Sequence, residues 1–268
     1  MKHTARLTAC LLALAYAAKI NAAVALIAVT ICSVLDALEN RKLEPLAYAA
    51  LAIALSLLLL RAIIWQYERR SGVTLNSGIG ALARLTMGMQ EGGGAAGWFN
   101  RYTERFFPLE VTARQQHDIA LADLKARLAE MAQNPAQTAA FFREKFCSQW
   151  MEPTMGMLWN GALSEHTGVF GEAAARFFAK DHTVLETLLG AFQRALYAFS
   201  AAGIIGMLRD RKRSGLCLLL PLIFFGGALY HLLFEAKSQY AFPYAVLLLP
   251  MAALGICRIE DGLKGKRA

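Results

Sequence analysis

The sequence predicts an all-α fold: a polytopic helical membrane bundle of about five to six membrane segments with one large, mainly helical extracytoplasmic loop. Three observations predict it. Hydrophobic residues make up 56% of the 268 and charged residues only 18%, too apolar for an ordinary soluble domain. Several apolar runs are uninterrupted. Lys and Arg cluster beside those runs, in Arg41-Lys42, in Arg209-Asp210-Arg211-Lys212-Arg213 and in Arg258 with Lys264, Lys266 and Arg267. The net charge of +8 therefore reads as the positive-inside pattern of a multi-pass protein of the plasma membrane, and nucleic acid is not expected as a partner. Residues 1–268 form a single integral membrane domain on this reading, with residues 66–182 as its extracytoplasmic loop.

Met1–Arg6 is short and basic and precedes Leu7–Ala18, an apolar segment too short to cross ~30 Å as a helix. Two readings stay open. It is a signal peptide with Ala15-Tyr16-Ala17 as its cleavage site, or it is the entering arm of a helical hairpin whose tip is Lys19-Ile20-Asn21 and whose returning arm is Ile20–Leu38. Either places Arg41-Lys42 in the cytoplasm. Pro45–Trp65 is the clearest span, ~31 Å of helix with proline in the first turn, where its missing N–H costs little. Trp65 and Tyr67 fit an interfacial aromatic belt. Arg61, one turn inside that boundary, either snorkels to head groups or faces a lipid-phosphate pocket.

The polar body begins with Ser71–Asn100, whose run Glu91-Gly92-Gly93-Gly94 lacks the strand-to-helix context of a phosphate loop and reads as a flexible surface loop. Leu109–Gln133 reads as an amphipathic helix, with Ile119, Leu121, Leu124, Leu128 and Met131 on one face. Asn134-Pro135 is then expected to cap and start a second helix, Ala136–Trp150. The aromatics of this region are explained by packing, and stacking of a sugar on Trp150 or Trp159 is not separable from it. Val184–Leu208, Gly215–Phe234 and Tyr240–Cys257 are the remaining apolar segments. Arg194, in the middle of the first, is expected to face the bundle interior and pair with a carboxylate or a lipid phosphate. Of five cysteines only Cys147 lies in the loop, and no Cys/His spacing suggests a metal.

His231, Glu235, Lys237, Gln239 and Tyr240 crowd one turn between two apolar runs. His231 and Glu235 are four apart, so that a carboxylate on the same helical face can orient the imidazole or a sugar hydroxyl. Lys237 can hold a phosphate as a point charge, and Tyr240 can donate a hydrogen bond to it. Pattern alone favours the plainer reading, a short solvated turn with Tyr240 as interface anchor.

Glu235-Ala236-Lys237-Ser238-Gln239-Tyr240, followed by Pro243 and an apolar helix reaching Ala253-Leu254-Gly255, resembles the late-helix signature of polyprenyl-phosphate-sugar-dependent glycosyltransferases of the GT-C class, the relatives of protein mannosyltransferases and aminoarabinose transferases. Thr86-Met87-Gly88-Met89 with Gly97-Trp98-Phe99-Asn100 is similar to a Met-Gly…Gly-Trp-Tyr-Asn passage of bacterial members, with Arg84-Leu85 where an aromatic or histidine pair is usual. Phe141-Phe142 with Lys145, Trp150 and Pro153 resembles a further family passage, and the short helix ending at Lys19 favours the hairpin reading. The resemblance covers the carboxy-terminal half of the family.

It implies that Glu235, Lys237 and Tyr240 lie beside a lipid-linked sugar donor, with His231, Arg194 and Arg61 as further candidates at its phosphate. Gln239 stands where Arg is common. No segment matches the outer loop that carries the family's catalytic acid, so the catalytic residue is unknown. The implied function is transfer of a sugar from a polyprenyl phosphate to a cell-envelope acceptor on the outer face, with membrane lipid around it and a second polypeptide as one source of the missing acid. No cofactor is implied beyond the lipid-linked donor as substrate, and a divalent metal is left undecided. The rival functions are a non-catalytic membrane subunit that keeps the fold and a small lipid-handling or transport protein, for which a mid-membrane Arg194 is the main argument.

Overall fold

The structure is a computed structural model and describes residues 2–75, 78–109, 111–163, 171–209 and 215–264. Asp210 and the basic residues Arg211, Lys212, Arg213, Lys266 and Arg267, with the loop acids Glu110 and Glu165, lie outside the described residues. No described residue is in a strand. Four helical stretches are long and apolar enough to cross a bilayer, Ile20–Asn40, Glu44–Ser71, Thr183–Arg209 and Ser238–Lys264, and two shorter apolar helices accompany them, Arg6–Ala18 and Leu219–Leu233. The chain divides into two compact units, one of residues 1–78 with 204–230 and one of residues 79–203 with 231–268.

In the first unit α1 (Lys2–Ala18) turns through a 3-10 segment, Ile20–Ala22, into α2 (Ala23–Asn40), the geometry of the hairpin reading. α1 packs along α3 (Glu44–Ser71), and small residues make the approach close: Ala9 and Ala52 meet Leu26 in a buried cluster flanked by Leu12, Tyr16 and Leu55. Without a hydrophobic drive between helices in lipid, such small-residue contacts set association. The hydroxyls of Ser56 and Thr30 donate to carbonyls one turn back, Ala52 and Leu26, so neither is left unsatisfied. An apolar cleft of about 360 Å³ is bordered by Tyr16, Thr30, Ile53 and Ser56. None of the sequence-predicted site residues lines it.

The second unit holds the short polar helices, namely α4 (Ala81–Gly88), α5 (Ala113–Gln133), α6 (Pro135–Trp150), α7 (Met157–Leu163) and α8 (Gly171–Phe178). It also holds most of α9 (Thr183–Arg209), the end of α10 (Leu219–Leu233) and α11 (Phe242–Lys264). α5 starts later than Leu109, at a capping box the sequence reading missed: Thr112 accepts from the Gln115 amide while the Gln115 side chain accepts from the Thr112 amide, which satisfies two end groups at once. Asn134 does not cap α6. Its side chain donates to Glu130 O and closes α5 instead, and Pro135 starts α6 without that help.

The run Glu91–Gly94 lies at the surface as expected, with Glu91, Gly93 and Gly94 exposed and Gly92 half-buried, but the segments on either side of it are packed. Thr86, Met87, Gly88, Met89, Ala96 and Gly97 are all buried, and Met89 and Ala96 share a cluster with Leu124, Met131 and Phe141. Leu124 and Met131 of α5 cover these flanks, so that residues 88–97 form a strap whose ends are buried and whose Gly92–Gly94 loop is at the surface.

α9 and α11 cross at Gly203 and Gly255, where a Cβ on either would strike the partner backbone at Met251 O or Phe199 O. Ser200 Oγ donates to Leu248 O beside the crossing, at 3.1 Å. Gly255→Ala is expected to lower stability by roughly 1–3 kcal/mol through overpacking. Gly262→Ala in the same helix, where a Cβ meets nothing within 4 Å, should leave stability equal or raise it by up to about 1 kcal/mol through helix propensity. Melting curves of the two variants in mild detergent check this; equal behaviour would mean the helices do not cross there.

Candidate functional site

α10 ends at Leu233 and α11 begins at Phe242, with a 3-10 turn at Ser238–Ala241. The residues between must satisfy their backbone without a helix, and they do so against neighbours. The Ala236 amide donates to Gly97 O at 2.9 Å and the Tyr240 amide to Lys237 O at 2.9 Å. His231, buried at the end of α10, has Nδ1 2.7 Å from Glu235 O. A carbonyl only accepts, so Nδ1 carries the proton. The expected alignment of the Glu235 carboxylate with this imidazole therefore does not occur. The helix stops two residues before Glu235, and its carboxylate turns to Tyr240, whose hydroxyl donates to Oε1 at 3.1 Å. The phenol ring of Tyr240 stacks on His231, with centroids 5.3 Å apart and planes 17° from parallel.

Lys237 is the cation of the turn. Its ammonium donates to Asn160 Oδ1 at 3.1 Å and stands 4.6 Å from the centroid of Trp159, a cation–π contact worth ~0.5–1 kcal/mol when exposed and more when dry. Asn160 Nδ2 in turn donates to Gln239 Oε1 at 3.0 Å. Trp159 packs edge to face with Trp98, centroids 5.6 Å apart, and Trp98 Nε1 donates to Ser148 Oγ on α6 at 3.0 Å. No described carboxylate forms an ion pair with Lys237.

Trp159 and Asn160 sit on α7, and the bend before α7 aims them. Met155 and Gly156 take left-handed φ of 51° and 76°, and the Glu152 carboxylate accepts from the Thr154 amide at 2.8 Å and from the Gly156 amide. A Cβ on Gly156 would lie 2.9 Å from Asn160 Nδ2 and 3.0 Å from Ser238 Oγ, so glycine is needed here both for φ and for the close passage of the turn. Trp150 and Trp159 are now distinguishable. Trp150 is 3% exposed, packed 5.5 Å from Tyr244 with its carbonyl accepting from Tyr197 at 2.8 Å, and belongs to the core. Trp159 is 47% exposed and open to a ligand.

The other candidates do not join this group. Arg194 is exposed, its guanidinium folded back toward Gly190, and does not enter the bundle interior as expected. The inward stripe of α9 is Gln193, Leu196, Ser200 and Gly203, and at 3.6 residues per turn the position after Gln193 is rotated off it. Arg61 belongs to the first unit and is exposed on α3. Asn160 and Trp159 were the residues of the site that the sequence reading left without a partner for Lys237. Adjacent Trp-Asn carries no signal until the bend at Glu152–Gly156 brings it beside the turn. Among the described residues no three His, Cys, Asp or Glu side chains lie close enough to hold a metal ion.

No protein-family model matches the chain, and neither a curated protein nor a solved structure is similar to it.

Tyr240→Phe removes one donor from a half-buried carboxylate and is expected to cost about 1 kcal/mol. Denaturant unfolding in detergent reads this directly, and an unchanged midpoint would show that water serves Glu235 equally well.

Proposed function

We propose that this chain is a membrane glycosyltransferase of the GT-C type, or the donor-binding part of one, which takes a sugar from a polyprenyl phosphate for transfer to a cell-envelope acceptor on the outer face of the plasma membrane. On this reading the polar helices between α3 and α9 form an extracytoplasmic loop. The observation that carries the proposal is Lys237, a cation at the mouth of an apolar hairpin, positioned by Asn160 and Trp159 with no described carboxylate to neutralise it. A phosphate monoanion or diester at a lipid–water boundary is the natural counter-ion for such a group. In the reaction Lys237 stabilises the charge that develops on the leaving phosphate. The exposed face of Trp159 offers stacking to the sugar, and Asn160 and Gln239 offer hydrogen bonds to its hydroxyls.

The base that deprotonates the acceptor comes from elsewhere, from a second polypeptide or a further stretch of the enzyme. Four described acids of the second unit already accept hydrogen bonds. Glu144 accepts from the Ala96 amide, Glu152 holds the bend before α7, Asp123 accepts from Tyr102 and Arg105, and Glu235 accepts from Tyr240. The same observation favours a second reading, a subunit that binds the lipid-linked donor without catalysis.

With the protein in lipid nanodiscs, binding of a polyprenyl phosphate should weaken at least tenfold in Lys237→Ala and remain unchanged in Lys180→Ala, which removes an exposed lysine at the end of α8. Equal affinities would remove Lys237 from the site. Labelled-sugar transfer from the same donor separates the two readings, since a subunit binds without turnover.

A further inference from the structure

Lys145 of α6 is the largest side chain wholly enclosed in the protein, 1% exposed. Nothing in the proposed chemistry uses it. Its stem passes beneath the glycine strap: a Cβ on Gly97 would collide with Lys145 Cε and Cδ, and Nζ donates to Gly88 O. The Phe141 ring lies 5.8 Å from Nζ on the far side. Both glycines bear on the hairpin turn. Gly88 abuts the Phe234 carbonyl so closely that a Cβ there has no room, and Gly97 O accepts the Ala236 amide at 2.9 Å. Phe234 and Ala236 are the two neighbours of Glu235.

We propose that Lys145 is a positioning residue, which holds Gly88 and Gly97 from beneath and thereby fixes the backbone on both sides of Glu235, setting where the Glu235–Tyr240 pair and Lys237 stand. The backbone part of this inference is independent of the ligand. Its consequence for donor binding rests on the glycosyltransferase reading.

The arrangement makes the clamp responsive to pH. Burial pushes the Lys145 amine down to about 7. The charged and titratable groups of the surrounding elements are otherwise engaged. On α6 Glu144 accepts from the Ala96 amide. From α5 Arg127 donates to Met89 O and pairs with Glu130 and Glu91. On the hairpin His231 bonds Glu235 O, Glu235 bonds Tyr240, and Lys237 bonds Asn160. When the clamp opens, the amine returns to water and to its ordinary value of 10.5. Between about 7 and 10.5 the open state thus binds a proton that the closed state lacks, so closure is favoured progressively as pH rises and is indifferent to pH below 7.

Hydrogen exchange of the full chain in nanodiscs, corrected for intrinsic rates, tests the proposal. In the wild type, protection over residues 88–97 and at Ala236 should be flat below pH 7 and rise by up to tenfold per pH unit above it. Lys145→Met fills the same space with no polar group to bury, so the fold should persist. In it the exchange of Ala236 should rise at least tenfold, lose its pH dependence, and leave α5 unchanged. Polyprenyl-phosphate binding should weaken severalfold alongside. Exchange within twofold of the wild type, an equal rise throughout α5, or a pH dependence that survives in Lys145→Met would each overturn the proposal. If Lys145→Met does not fold, Lys145→Gln and the wild-type pH series give the same readout. Loss of binding effects at both Lys145 and Lys237, with the exchange result intact, would reject the donor reading and leave the clamp standing.

Discussion

Between α10 and α11 the chain leaves helical geometry, and every buried N–H and C=O freed there needs a partner. The turn between α10 and α11 meets this demand with the protein's own groups. The His231 imidazole serves Glu235 O, Gly97 O serves the Ala236 amide, and Lys237 O serves the Tyr240 amide. Only glycine fits at Gly88, where a Cβ would strike the Phe234 backbone, and at Gly97, which has φ of 71° and where a Cβ would strike the Lys145 side chain and Gly88 O. The polar side chains of the candidate site inherit their positions from these bonds.

The charges of the second unit follow the cost of isolating them. Lys237 is shared between an amide oxygen and an indole face, a partial solvation that leaves its charge available to an anion. Lys145 has only a carbonyl and a ring, and its amine is driven toward neutrality. Arg194 lies on the exposed side of α9, while the uncharged Gln193 takes the inward position. One rule, that an uncompensated charge is not buried, accounts for all three.

Much of the helical outline was legible from residue order. Pro45 and Pro135 do begin α3 and α6, four of the apolar segments lie within the membrane-length helical stretches 20–40, 44–71, 183–209 and 238–264, and of the face expected on α5 Leu124 and Met131 are buried while Leu128 is exposed. Each depends on interactions within about one helical turn, which a linear pattern records. The same local logic misled at Asn134, where the preceding helix competed for the side chain, and at Glu235, where the 3.6 period was extended past the end of α10.

By itself the sequence determined an all-helical chain with long apolar segments and the grouping of Glu235, Lys237 and Tyr240 on one turn, since composition and periodicity suffice for both; of the five to six membrane segments it predicts, four are of membrane length among the described residues. Only the tertiary structure decided that Asn160 and Trp159 are the partners of Lys237, that the segments flanking the glycine run, at Met87–Met89 and Ala96–Gly97, are buried, and that Lys145 lies against them. Those contacts join residues about 50 to 80 positions apart in the chain, and what selects them is the close approach of backbone and side chains at Gly88, Gly97 and Gly156, which no spacing in one dimension encodes.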